Sequence, residues 1–111
     1  MATERAERIA LNEAMFRTAN ERAAAWEERQ GHEEEAELYY CECASLECRD
    51  KVSLTGVEYE GVRQDSAHFF IARGHEVTDV ETVIEEHGNW VVVRKNPEVQ
   101  GLVEATDERK P

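Results

Sequence analysis

The sequence predicts an α+β fold: a long N-terminal helix, then a small antiparallel sheet with one short helix, all in one domain. Three observations point there. From Thr3 to Arg29 the chain has no Gly and no Pro and is rich in Ala, Glu and Arg, a composition that favours uninterrupted helix. From residue 38 to 96 it changes to short β-branched and aromatic runs separated by turn residues. All three cysteines fall within the eight residues "CECASLEC", Cys41 to Cys48. At 111 residues the chain buries roughly two thirds of its unfolded surface, so the core is thin and a local staple carries weight. The expected organisation is a helix over 1–31, a β-rich core over 38–96 and a polar C-terminal tail over 97–111.

The helix takes Thr3 as N-cap, with Glu4 and Glu7 at its positive end and Gly31 as its stop. Ile9, Asn12, Phe16, Ala19, Ala23 and Trp26 recur at steps of three and four, a heptad seam in which an interior Asn fixes register. That seam packs on the protein's own sheet with Asn12 at its edge, or it pairs with a partner protein or a second copy of the chain. Glu13 and Arg17 stand in the favoured i,i+4 order, an ion pair worth a few tenths of a kcal/mol. His32 and the acids Glu33 to Glu35 form a solvated linker.

In the second half, "ELYYCEC" and "DKVSLT" read as strands. Thr55 with Glu58 then forms a capping box, and Leu54 with Tyr59 a hydrophobic staple, so a short helix begins at residue 56. "HFFIARG" is a further strand, and "ETVIEEHGNWVVVRK" is a pair of strands turning at His87, Gly88 and Asn89. Trp90 to Val93 is the most apolar of these segments and is expected to be central or heavily covered. "PEVQGLVEATDERKP" adds a short helix before the tail ends.

On a strand, residues two apart share a face, so Cys41 and Cys43 point together and the four-residue loop "ASLE" returns Cys48 beside them. Three thiolates at close quarters repel unless a cation lies between them. Zinc suits three sulfurs and one imidazole in a closed tetrahedron. Of the four histidines, His75 is the expected fourth ligand, because it follows Gly74 at a strand end where the backbone can approach closely; His68 and His87 are the alternatives, and His32 lies on the linker. One zinc ion per chain, held by Cys41, Cys43, Cys48 and His75, then staples the sheet to its loops. The C-x-C-x4-C spacing differs from the C-x-x-C redox pair. With 25 acids in the chain, adjacent carboxylates arise from composition and assign no general acid or base. No phosphate loop, nucleophile elbow or H-E-x-x-H motif occurs.

The segments "NEAMFRTANER", "CECASLEC", "LTGVEYEGVR" and "GHE" together resemble those of a group of small bacterial metal-binding proteins with an N-E-x-x-F-R-x-x-N-E-R helix, a C-E-C-x4-C knuckle, an L-T-x-x-E-Y motif and a G-H-E. The likeness runs through Asn12, Glu13, Phe16, Arg17, Asn20, Glu21 and Arg22, the three cysteines, Leu54, Thr55, Glu58, Tyr59, Gly74, His75 and Glu76. It implies metal binding with the His of G-H-E as fourth ligand and carries no activity with it.

The formal net charge of −12 disfavours nucleic acid, whose phosphates need a Lys/Arg surface. No run reaches the apolar length of a membrane span, and the charged N-terminus is unlike a secretory leader. Clustered cysteines in odd number fit a reducing, cytoplasmic setting. The expected role is a non-catalytic, zinc-stabilised module for protein interaction or regulation. The alternative is a thiolate–zinc redox sensor or a metal-dependent enzyme with an open coordination position.

Overall fold

The computed structural model describes residues 4–32, 34–43, 45 and 47–107. The expected N-cap Thr3, Glu33 of the acidic linker, Ala44 and Leu46 of the "ASLE" loop and the last four residues of the tail lie outside the described residues. The chain runs α1 (Glu4–Arg29), β1 (Ala36–Tyr40), β2 (Lys51–Thr55), α2 (Gly56–Val62), β3 (His68–Ala72), β4 (Glu81–His87), β5 (Trp90–Lys95) and α3 (Pro97–Ala105). This is the α+β class, with two antiparallel sheets where one was expected: a two-stranded β1–β2 ribbon and a three-stranded sheet in the order β3–β5–β4.

β5 is the central strand of the larger sheet and is buried on both faces, which explains its unbroken run of apolar residues. Val91 and Val93 pack with Phe69 and Ile71 into one core cluster, which also holds Ala6 and Ala10 of α1, Val99 and Val103 of α3, and Cys41 and Cys43. Trp90 and Val92 face the other way, into a second cluster with Phe70, Tyr39, Tyr59, Leu54, Val52 and Val62. There Tyr39 and Tyr59 stack at 5.1 Å with Phe70 edge-on to both.

The turn and cap chemistry follows the sequence. Thr55 Oγ1 accepts from the Glu58 N–H at 3.0 Å, while the Glu58 carboxylate accepts from the Thr55 N–H at 2.8 Å. Gly31 stops α1 at φ 74°, and Gly88 turns the β4–β5 hairpin at φ 66°, values that glycine adopts without a Cβ clash.

The buried face of α1 differs from the expected seam. Ala6, Ala10, Glu13, Ala14, Arg17, Asn20 and Ala24 are buried, whereas Ile9, Asn12 and Phe16 are half-buried and Ala19, Ala23 and Trp26 are exposed. The stripe is rotated because its polar members find partners inside. Glu13 and Arg17 do not act as a surface pair. Lys95, itself fully buried, sits between the carboxylates of Glu13 and Glu81, with Nζ 2.6 Å from Glu81 Oε1. Arg17 donates to the carbonyls of Ser66 (2.6 Å) and Val103 (3.0 Å) and lies 4.1 Å over the Phe69 ring. Glu21 and Asp107 together hold Arg63. Glu13, Arg17 and Asn20 of the N-E-x-x-F-R-x-x-N-E-R pattern thus form a buried polar face that joins α1 to the sheets and to α3.

Candidate metal centre

The strand expected over "ELYYCEC" ends at Tyr40, and the next three residues cross from one sheet to the other. The Cys41 N–H still bonds the carbonyl of Asp50, the residue just before β2, at 3.0 Å, but the Glu42 N–H bonds Phe70 O of β3 at 3.1 Å. In this extended crossover Cys41 and Cys43 join the apolar cluster that carries α1 and α3. Cys48 arrives from the short loop before β2 and is half-buried.

His75 comes from the turn after β3. Gly74 takes φ 91° there, and a Cβ on it would meet nothing within 4 Å. The glycine therefore serves the backbone angle rather than the close approach expected of it. Glu76 of G-H-E accepts from the Gly74 N–H at 3.0 Å and the His75 N–H bonds Ala72 O at 3.1 Å, so the turn that presents the ring is fixed on both sides.

One ligand atom from each of Cys41, Cys43, Cys48 and His75 lies within 4.8 Å of the other three. His75 Nδ1 is 3.5 Å from Cys41 Sγ and 3.7 Å from Cys48 Sγ. With Zn–S of about 2.3 Å and Zn–N of about 2.05 Å, the sulfur–nitrogen edge of a tetrahedron is about 3.5 Å. The two sulfur–nitrogen distances match that edge, and the whole donor set is close enough to be consistent with a single metal site. The other histidines lie elsewhere: His32 beside Glu27 and Glu35, His68 beside Asp65, and His87 stacked 4.1 Å from Trp90.

The three sulfurs cannot share one environment as thiolates without a cation. Hydrogen bonding from Cys41 pulls Cys43 down to about 5, while Cys41 is pushed up by that same bond and by burial, and Cys48 is pushed up by burial. A divalent ion removes this conflict, since it stabilises all three thiolates together.

Two supporting groups escaped the sequence reading. Asp50 Oδ2 lies 3.3 Å from His75 Nε2, on the ring edge opposite the sulfurs. It favours the tautomer that leaves Nδ1 free to ligate, the arrangement by which carboxylates orient metal-binding histidines. The Ala72 N–H reaches Cys41 Sγ at 3.1 Å, a hydrogen bond that favours the thiolate. Asp50 lies only two residues past Cys48, but among so many acids its position carried no signal. Outside the donor set, a cleft of about 480 Å³ opens over Cys43, Cys48 and His75, bordered by Ser45, Arg49 and Asp50.

Comparison of the chain with family models, with curated proteins and with solved structures gives no match. The site and fold alone therefore define the class: a small α+β domain bearing a Cys3His group able to hold a metal ion. Among the described residues, no helix is long and apolar enough to cross a membrane.

Proposed function

We propose that the chain is a zinc-stabilised, non-catalytic module that serves protein interaction or regulation in a reducing compartment such as the cytoplasm. The observation that carries this reading is the 3.5 and 3.7 Å spacing of His75 Nδ1 from two cysteine sulfurs, which matches one tetrahedral ion. Zinc is favoured over harder cations because three of the four donors are thiolates. Such an ion contributes about 10–16 kcal/mol of apparent binding energy, more than many domains possess in total stability. It would tie three segments with no common secondary structure: the crossover after β1, the loop before β2 and the turn after β3. A partner would meet the outer face of α1, where Trp26 stands exposed with Leu11 and Met15 on nearly the same side of the helix.

Elemental analysis of the purified protein tests this directly. One zinc per chain and loss of the folded circular dichroism signal on chelation are expected. A protein that folds fully without metal would refute it.

The open cleft beside Cys43 and Cys48 favours a second reading, a redox sensor that releases its ion on thiol oxidation, or an enzyme whose metal keeps an exchangeable position. Zinc release by stoichiometric peroxide, or a metal-bound water that titrates with an activity, would select it. Sedimentation at micromolar concentration separates partner binding from self-pairing: a monomer excludes the paired-helix form.

A further inference from the structure

The residue between the first two ligands is a glutamate that points away from them. Cys41 and Cys43 belong to the donor cluster, while the Glu42 carboxylate lies against Asn20 and the Phe70 N–H. There it is completely buried. Its Oε2 accepts from Asn20 Nδ2 at 2.9 Å and its Oε1 from the Phe70 N–H at 3.4 Å, and its own N–H is bound to Phe70 O. Asn20 also closes on the preceding residue: Nδ2 donates to Tyr40 O at 2.8 Å, and Oδ1 accepts from the Tyr40 N–H at 2.9 Å. Two elements, α1 and β3, therefore grip the backbone on either side of Cys41.

We infer that Asn20 and Glu42 are positioning residues for the metal centre, clamping the Cys41–Cys43 segment from behind so that its two sulfurs are held at the spacing an ion requires. This rests on the proposed metal-binding reading and deepens it. A three-residue ligand segment has little stiffness of its own, and rotation at residue 42 would swing the two sulfurs apart or into the core. The clamp fixes that rotation. It also couples the asparagine of "NEAMFRTANER" to the glutamate of "CEC". Through that pair the helix holds the metal knuckle, and by reciprocity the bound ion holds the helix.

The test compares Asn20→Ala, Glu42→Gln and a control, Val92→Ala, which trims a buried side chain in the other core cluster. Gln at 42 keeps the volume and loses one of the two accepted hydrogen bonds, whereas Asn20→Ala removes three, so Glu42→Gln is the milder perturbation of the two. Zinc affinity is measured by competition with a chromogenic chelator, and coordination geometry by the visible absorption of the cobalt-substituted protein. Both clamp variants are expected to lose about 10–100-fold in zinc affinity, the usual effect of removing a group that orients a ligand, and to shift the cobalt spectrum. Val92→Ala is expected to lower the melting temperature while leaving spectrum and affinity at wild-type values. Clamp variants that match the control in both readouts overturn the inference while leaving the metal site intact. A wild-type protein that takes up neither zinc nor cobalt overturns the metal-binding reading itself.

Discussion

Replacing His75 by Ala separates a metal-binding imidazole from a bystander near three thiols. The ring is half-buried, as Cys48 is, at the mouth of the cleft, and its Nδ1 contacts the sulfurs of Cys41 and Cys48. Sharing about 10–16 kcal/mol among four ligands assigns about 2.5–4 kcal/mol to the ring. At 1.4 kcal/mol per decade this is a fall of about 10²–10³-fold in zinc affinity. The loss should lie at the lower end, because water from the cleft can take the vacated position while three thiolates still hold the ion. Competition titration against a chelator of known affinity measures it, with His68→Ala and His87→Ala as controls, since both rings lie outside the donor set. Cys41→Ala should weaken binding further than His75→Ala, because it removes the most buried sulfur and leaves two sulfurs and the ring. Unchanged affinity in His75→Ala, or an equal loss in His68→Ala, refutes the assignment.

The buried charges give two further expectations, and the cap of α2 a third. Lys95→Met leaves Glu13 and Glu81 facing each other without a cation; it should cost about 3–5 kcal/mol in urea denaturation at saturating zinc, and combining it with Glu13→Leu and Glu81→Leu should recover most of that loss. Burial pushes the Glu81 carboxyl up from 4.5 to about 7. The folded protein therefore keeps a proton that the unfolded chain releases, and this group's contribution to stability is present below pH 4.5 and lost as the pH rises to about 7. Between these limits Glu81→Gln should remove a slope of at most about 1.4 kcal/mol per pH unit, seen as the difference from wild type; parallel stability–pH curves would sink the assignment. Thr55→Ala removes the cap of α2 and should cost about 1 kcal/mol by the same denaturation assay.

What the sequence disclosed and what it hid divide along a physical line. Local signals were legible: the capping box at Thr55 and Glu58, the stop at Gly31, the hairpin at Gly88 and the centrality of "WVVV" all depend on residues a few positions apart. The meeting of Cys41, Cys43 and Cys48 was also legible, since one short segment supplies all three. The rotation of α1 was not. Counting Glu13, Arg17 and Asn20 as polar placed them outside, yet each is buried because its partner arrives from far along the chain: Lys95 for Glu13, Val103 for Arg17, Glu42 for Asn20. Hydrophobic periodicity cannot register such pairs. Asp50 stayed hidden for a different reason, since its role depends on which nitrogen of His75 faces the sulfurs.

These buried charges also explain why a metal suits this fold. Glu13, Arg17, Glu42, Arg63, Glu81, Lys95 and Asp107 are all buried in a chain of 111 residues, and taking each from water costs several kcal/mol before pairing returns part of it. Burial pushes Glu42 up to about 7 even with Asn20 and Arg17 beside it, a sign that pairing there offsets desolvation only in part. An apolar core of this size leaves a margin of a few kcal/mol. A zinc ion held by the Cys3His group would add about 10 kcal/mol or more at one point, and that point lies where the chain passes from one sheet to the other. On the proposed reading, directional polar contacts such as those of Asn20 with Tyr40 and Glu42 could then be kept for the register they impose on the ligands, because the ion would supply stability that a purely apolar interior would otherwise have to provide.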